Sequence, residues 1–179
     1  MRITGGGLAG KSLKAVFPEQ VKPTTDMVRE ALFMKLEQEQ GLNGLQVLDL
    51  FSGSGIVSLE FLSRGCHVVS VDRDRKNQRI WQQVQKEWAL EHWDLRCADV
   101  LQELARFRPE SFDMVFADPP YDLPGIQLLP SRIFPLLKPG GLFILEHRPD
   151  ILFPAPATQE TRQYGRSCLS FFKKETIRG

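Results

Sequence analysis

Cysteine is scarce in this chain. Cys66, Cys97 and Cys168 are odd in number and widely spaced among 179 residues. That set excludes a disulfide framework and a CxxC metal site, and it makes a reducing, cytoplasmic location the expectation. The three histidines, His67, His92 and His147, are not spaced with acids or cysteines in the manner of ligands, so no metal is expected. No run of eighteen apolar residues occurs, which leaves no expected membrane span or membrane partner. The opening Met-Arg-Ile-Thr-Gly-Gly-Gly has no apolar stretch after its charge, unlike a secretory signal. Internal repeats and low-complexity tracts are also missing. What remains is ordinary globular material: hydrophobic residues make up 42% and charged residues 25%, enough apolar surface to offset ordering entropy in one domain.

Net charge is only +1, yet it is unevenly spread. Residues 1–25 carry Arg2, Lys11, Lys14 and Lys22 against Glu19. Residues 161–179 carry Arg162, Arg166, Lys173, Lys174 and Arg178 against Glu175. The segment between them is net acidic. Basic ends of this kind form a polyanion-binding face if they meet in space, and are idle solvated termini if they do not.

Residues 1–7 and 11–17 read as a small hairpin or irregular arm. Pro23-Thr24-Thr25-Asp26 is a helix start, and Val28, Ala31, Leu32, Lys35 and Leu36 follow at helical spacing, predicting an amphipathic helix over 25–39. From residue 45 the pattern alternates. Strands are expected at 45–51, 67–71, 94–98, 112–117 and 141–146. Helices are expected at 56–62, 76–88, 100–107 and 128–137, the last with Pro130 in its first turn. Such alternation predicts a parallel sheet covered on both faces. Residues 158–164 and 167–173 around Gly165 predict an antiparallel hairpin at the sheet edge. Pro139-Gly140-Gly141 reads as a tight turn. Trp81, Trp88 and Trp93 read as packing residues, and Cys66 and Cys97 as buried thiols. The expected fold is therefore α/β and doubly wound, mostly parallel, with a C-terminal antiparallel hairpin and a small N-terminal extension.

Asp49-Leu50-Phe51-Ser52-Gly53-Ser54-Gly55 joins the first of these strands to a helix. Glycines there permit a sharp turn and close approach of a ligand, and ligands of open α/β sheets bind at the carboxyl ends of the strands. A lone GxG is weak evidence, because a dinucleotide loop has a third glycine where Ser58 stands. Asp49 would repel a phosphate and attract a cationic amine or sulfonium. Asp72 ends the second strand, where an acid accepts hydrogen bonds from ribose hydroxyls, and Asp99 ends the third, a natural place to meet an adenine ring. Asp99 also fits the simpler role of a helix N-cap. Three strand-end acids and the GxG describe a site for a positively charged adenosine ligand, matching S-adenosylmethionine.

Asp118-Pro119-Pro120-Tyr121 after the fourth strand is the most specific feature. Two prolines fix the backbone and remove two donors, which leaves acceptors facing the crevice. Acceptors that hold the N–H groups of a nucleobase amine aim its lone pair at a methyl donor, and Tyr121 offers a ring to stack on an extruded base.

The glycine loop followed by Asp-Pro-Pro-Tyr resembles class I S-adenosylmethionine-dependent N-methyltransferases. More closely, the chain resembles the bacterial 16S ribosomal RNA guanine-N2 methyltransferases of the RsmD type. The resemblance runs over about residues 2–173. It includes Arg2-Ile3-Thr4-Gly5-Gly6, Gly10-Lys11-Ser12-Leu13, the segment Lys22 to Phe33, Leu48 to Gly55 and Leu62-Ser63-Arg64-Gly65. Met27, Met34, Ala9 and Lys22 depart from the residues usual in that family. The resemblance implies a Rossmann-like methyltransferase domain at 25–179 and a basic RNA-binding arm at 1–24. It assigns Asp49, Phe51, Gly53, Ser54, Gly55, Asp72, Asp99 and Val100 to the donor, and Asp118, Pro119, Pro120 and Tyr121 to the target amine. Arg2, Lys11, Lys14 and Lys22 would grip RNA phosphates. The implied cofactor is S-adenosylmethionine, the partner ribosomal RNA or the small ribosomal subunit, and the state a monomer. Two other readings stay open: another nucleobase-amine methyltransferase such as a DNA adenine-N6 enzyme, and a nucleotide-binding oxidoreductase or non-catalytic binding module.

Overall fold

A computed structural model describes residues 1–13, 26–154 and 160–176. Seven strands form one sheet: β1 (Gln46–Leu50), β2 (His67–Asp72), β3 (Trp93–Cys97), β4 (Phe112–Ala117), β5 (Leu137–His147), β6 (Glu160–Tyr164) and β7 (Ser167–Lys173). Their order is β3-β2-β1-β4-β5-β7-β6. The first five pair in parallel, while β7 pairs antiparallel with both β5 and β6. The doubly wound architecture with a C-terminal antiparallel hairpin is therefore as expected. The chain leaves β1 toward β2 on one side and resumes at β4 on the other, so a crevice opens between β1 and β4 at their carboxyl ends.

Side chains alternate across this sheet, and both faces are buried. Val47, Met114, Phe116, Ile144, Leu169 and Phe171 pack on one side under α1 (Asp26–Glu39), α2 (Ile56–Ser63) and α3 (Arg75–Glu87). Leu48, Leu50, Val115, Ala117, Phe143 and Leu145 pack on the other under α4 (Val100–Glu103) and α5 (Leu129–Ile133). Trp81 and Trp93 are both core residues, as read from the sequence.

Two predicted helices are shorter than expected. The turn after β3 is α-helical only to Glu103 and continues as a 3-10 turn, Leu104–Arg106. The segment before β5 splits into 3-10 turns on either side of α5, with Pro130 in its first turn as expected and Pro135 opening the second 3-10 turn. Proline has no N–H to continue an i→i−4 ladder. The turn expected at Pro139-Gly140-Gly141 is instead an irregularity inside β5. Phe112 pairs with Leu137 before it and Met114 with Leu142 after it. Gly140 N–H donates to the Lys174 carbonyl and Lys174 N–H to the Gly141 carbonyl, so pairing survives on that side. Cys66 is buried, its thiol pushed up to about 12 chiefly by burial. Cys97, expected to be buried, is only partly so, because β3 is an edge strand.

The described part of the N-terminal segment is docked. Arg2 and Ser12 form an antiparallel bridge. Ile3 and Leu13 join the core beside α1 and α2. Gly7 N–H donates to the Ser63 carbonyl at 2.7 Å, and Leu8 N–H to Ser63 Oγ at 2.9 Å. Beneath them lies a charged cluster with both principal members fully buried: Arg29 Nε donates to Glu60 Oε1 at 2.8 Å, and Arg64 Nη1 to Glu60 Oε2 at 2.6 Å. Thr4 N–H and Oγ also donate to Glu60. At the far end of α1, Lys35 pairs with Glu160 of β6 at 2.9 Å and lies over Phe171. Helix α1 thus touches both the N-terminal segment and the C-terminal hairpin, the two regions that carry the basic excess.

Candidate active site

Five strand-end acids line one cavity of about 760 Å³ at the carboxyl edge of the sheet: Asp49, Asp72, Asp99, Asp118 and Glu146. Four of these acids were expected and Glu146 was not. The cavity is also lined by Phe51, Gly53, Ser54, Val100, Pro119, Pro120 and Tyr121, so every predicted donor and target residue except Gly55 borders it. Gly55 sits directly behind, at the start of α2.

The loop from Phe51 to Gly55 is built for a sharp turn. Phe51 has φ 57°, Gly53 51° and Gly55 78°. A phenylalanine in the left-handed region is strained, which is typical of backbone held for function. Gly55 has a second constraint, since a Cβ there would lie 2.7 Å from Trp81 Nε1. That indole in turn donates to the Gly53 carbonyl at 3.2 Å and pins the loop from below. From the side, Gly53 N–H donates to Asp72 Oδ2 at 2.9 Å, while Asp74 N–H donates to Asp72 Oδ1 at 2.8 Å. The Asp72 carboxylate plane is thereby fixed. A carboxylate offers about four lone-pair sites, so two backbone donors do not exhaust it.

Asp49 is 1% exposed and points to the α2 side of the sheet. Burial pushes its carboxyl up to about 7, against the opposing hydrogen bond from Ser58, and the nearby charge of Asp72 adds to the rise. Ser58 Oγ donates to Asp49 Oδ2 at 2.5 Å and lies 2.5 Å from Ser70 Oγ. Trp93 Nε1 donates to Ser70 at 2.7 Å. Because an indole N–H only donates, the chain has one consistent direction, Trp93 to Ser70 to Ser58 to Asp49. Ser58, the residue in place of a third glycine, therefore holds the buried acid, a task glycine lacks the hydroxyl to perform.

Asp99 accepts Gln102 N–H at 3.1 Å and caps α4. It is also exposed at the cavity rim, so its capping and site readings coexist. After β4, Pro119 is buried and Pro120 exposed. The Pro120 carbonyl accepts Leu123 N–H at 3.0 Å, which closes a turn. Tyr121 follows at the mouth, 44% exposed.

Of the predicted RNA-binding residues, Arg2 and Lys11 do not line the cavity. Arg2 is exposed, its carbonyl held by Arg29 Nη2 at 2.9 Å. Lys11 Nζ stands 5.1 Å from the centre of the Trp88 ring. Lys14 and Lys22 lie outside the described residues. Among the described residues no group of three His, Cys, Asp or Glu converges as metal ligands do. His67 and His92 do stack, with ring centres 4.1 Å apart. No helix among the described residues is long and apolar enough to cross a membrane.

Glu146 was missed although its signal is the same as that of Asp72 and Asp118: an acid directly after an apolar strand run, here Leu142-Phe143-Ile144-Leu145. Ser58 and Ser70 carried no such signal, because their partner is set by a fold contact.

The comparisons agree with the geometry. A family model described as Conserved hypothetical protein 95 matches residues 1–173. The chain belongs to this family. It is 33% identical, over 97% of its length and 99% of the relative's, to the Bacillus subtilis protein named "Putative rRNA methyltransferase YlbH". It is 40% identical to ribosomal RNA small subunit methyltransferase D of Escherichia coli over 83 residues, which cover 45% of this chain and 41% of that one. A solved structure of a hypothetical protein from Thermus thermophilus superposes with a TM-score of 0.83 at 30% identity, covering 98% of this chain and 99% of the other. The resemblance to the RsmD-type methyltransferases drawn from the sequence motifs is thus borne out at the level of family and fold.

Proposed function

We propose that this chain transfers a methyl group from S-adenosylmethionine to the exocyclic N2 amine of a guanine in small-subunit ribosomal RNA. One observation carries the reading: the glycine loop, Asp72 and the Asp118 to Tyr121 turn border a single cavity at the sheet's switch point. The names of the relatives, as ribosomal RNA methyltransferases, support the substrate class.

The residues present fit the donor. The cavity volume lies within the range of small-molecule sites. Asp49 is a buried carboxyl poised near neutrality, which a bound cation would draw into its ionised form. When bound, S-adenosylmethionine supplies an electrophilic methyl carbon on a cationic sulfur. Asp72, its plane fixed by two backbone N–H groups, accepts from ribose hydroxyls. Val100 and the rim at Asp99 bound the adenine end. The Phe51 to Gly55 loop, pinned by Trp81, keeps backbone close to the methionine end.

At the other wall, the Asp118 carboxylate and the Pro119 carbonyl hold the two N–H groups of the amine. A conjugated amine is a poor nucleophile, and holding both hydrogens favours a pyramidal nitrogen whose lone pair points across the cavity. Asp118 then takes the proton the amine sheds at one of its oxygens. Tyr121 stacks on the base once it is out of its helix. Arg2, Lys11, Lys14 and Lys22, in the arm assigned to residues 1–24, neutralise phosphates. The enzyme works as a monomer in the cytoplasm on rRNA or the small subunit.

Calorimetric titration separates this from an oxidoreductase: S-adenosylmethionine binds and NAD does not. In single turnover, Asp118→Ala keeps donor affinity and loses about 10²- to 10³-fold in rate, the usual effect of deleting one preorganised polar group. Wild-type turnover in that variant contradicts the role given to Asp118.

A further inference from the structure

Glu146 is 5% exposed and ends β5. Ala117 pairs with Leu145 in the parallel register of β4 and β5, so Asp118 and Glu146 follow one residue later on adjacent strands. Side chains alternate, and Phe116 and Ile144 both belong to the core under α1 and α2. Asp118 and Glu146 therefore emerge on that same face, side by side, and both line the cavity. Glu146 is also held from the far side. Ser167 of β7 donates its hydroxyl to Glu146 Oε1 at 2.7 Å, with both side chains buried. A carboxylate offers about four lone-pair sites, and Ser167 takes one of them.

An exocyclic amine alone does not identify a base. Guanine carries N1–H beside its N2 amine. Adenine and cytosine carry a bare ring nitrogen, an acceptor, beside theirs. A carboxylate next to the amine-binding group attracts N1–H and repels a ring-nitrogen lone pair. Adjacent strands stand about 4.8 Å apart, close enough for two carboxylates to reach one base edge. Building on the guanine-N2 reading above, we propose that Glu146 is the base-selecting residue: its carboxylate, oriented by Ser167 beside Asp118, accepts N1–H of the target guanine and rejects adenine.

Glu146→Gln is the informative variant. Its amide oxygen still accepts from Ser167, and its amide nitrogen presents a donor where the carboxylate presented an acceptor. The assay uses small subunits reassembled on rRNA with either guanine or 2-aminopurine at the position the wild type methylates. 2-Aminopurine keeps the N2 amine but has a bare N1. Wild type prefers guanine in kcat/KM. Glu146→Gln loses about 5- to 150-fold on guanine, the range for one base-edge contact, and its guanine over 2-aminopurine ratio collapses toward one. Donor affinity is unchanged. An equal loss on both substrates with donor affinity intact, which leaves the ratio unchanged, overturns the proposal. Ser167→Ala, which removes one hydrogen bond to the carboxylate and leaves the carboxylate in place, lowers the ratio by less. If wild type forms N2-methylguanosine and Glu146→Gln keeps the wild-type ratio, the base-selecting role alone falls. If wild type methylates a different base or atom, the guanine-N2 reading falls and takes this role with it.

Discussion

Replacing Asp49 with asparagine tests the electrostatics of the site in isolation. The side chain keeps its size, and its amide oxygen can still accept from Ser58. What disappears is an ionisable group that burial raises from an ordinary value of 3.8 to about 7. Between those values the folded protein binds a proton that the unfolded chain has released, so stability falls as pH rises. The cost is absent below the unfolded value and complete above the folded one. One pKa unit corresponds to about 1.4 kcal/mol, so the full penalty is about 4 kcal/mol, of which more than half develops between about pH 5 and about pH 8.5. Urea denaturation of wild type and Asp49→Asn near those two pH values gives the effect as a double difference, in which all other titrating groups cancel. The variant should gain on wild type by about 2–3 kcal/mol across that interval. A parallel pH dependence in the two proteins refutes the buried, near-neutral acid. The same group links to the donor: a bound cation favours ionised Asp49, so wild-type affinity for S-adenosylmethionine should rise as pH passes through about 7, and the variant should lose this dependence.

Gly55→Ala places a methyl group against Trp81 Nε1 at a positive φ. It should cost about 1–3 kcal/mol in thermal unfolding and weaken donor binding, whereas Gly10→Ala, with nothing within 4 Å, should show only the backbone cost. Arg29→Ala takes one of its two cations from buried Glu60, leaves Arg64 paired with it, and should destabilise by about 2–3 kcal/mol. Arg29→Met with Glu60→Leu removes the buried anion as well but takes an ion-pair partner from Arg64, so it should recover only part of that loss, and full recovery would mean the Arg64–Glu60 contact contributes nothing. Replacing Lys11, Lys14 and Lys22 together should flatten the salt dependence of RNA binding by up to about two units of log–log slope, and an unchanged slope removes them from the phosphate contacts.

Strands β1, β2, β4 and β5 were legible because each carries a short apolar run closed by glycine or an acid, and burial on both faces needs nothing more. The loop and the Asp-Pro-Pro-Tyr turn were legible for the same reason, since their chemistry lies in consecutive residues. Helix α5 was overestimated because apolar spacing was weighed above Pro135. The hidden features depend on partners distant in sequence. Arg29 reads as one more charged position on a surface helix until Glu60, 31 residues later, is found beneath it. Ser58 reads as a defect in a glycine motif until Asp49 is seen against it. Lys11 reads as a free phosphate ligand, while the fold sets it over Trp88. Glu146 was visible as a strand-end acid, but its neighbour Asp118 is fixed only by the β4–β5 register.

The most direct test of the central claim is methyl transfer from labelled S-adenosylmethionine to small ribosomal subunits that lack the modification, with naked rRNA and DNA alongside and nucleoside analysis of each product. The account predicts N2-methylguanosine from the subunit or its RNA and none from DNA. N6-methyladenine in DNA, or a protein that does not bind the donor at all, would contradict it.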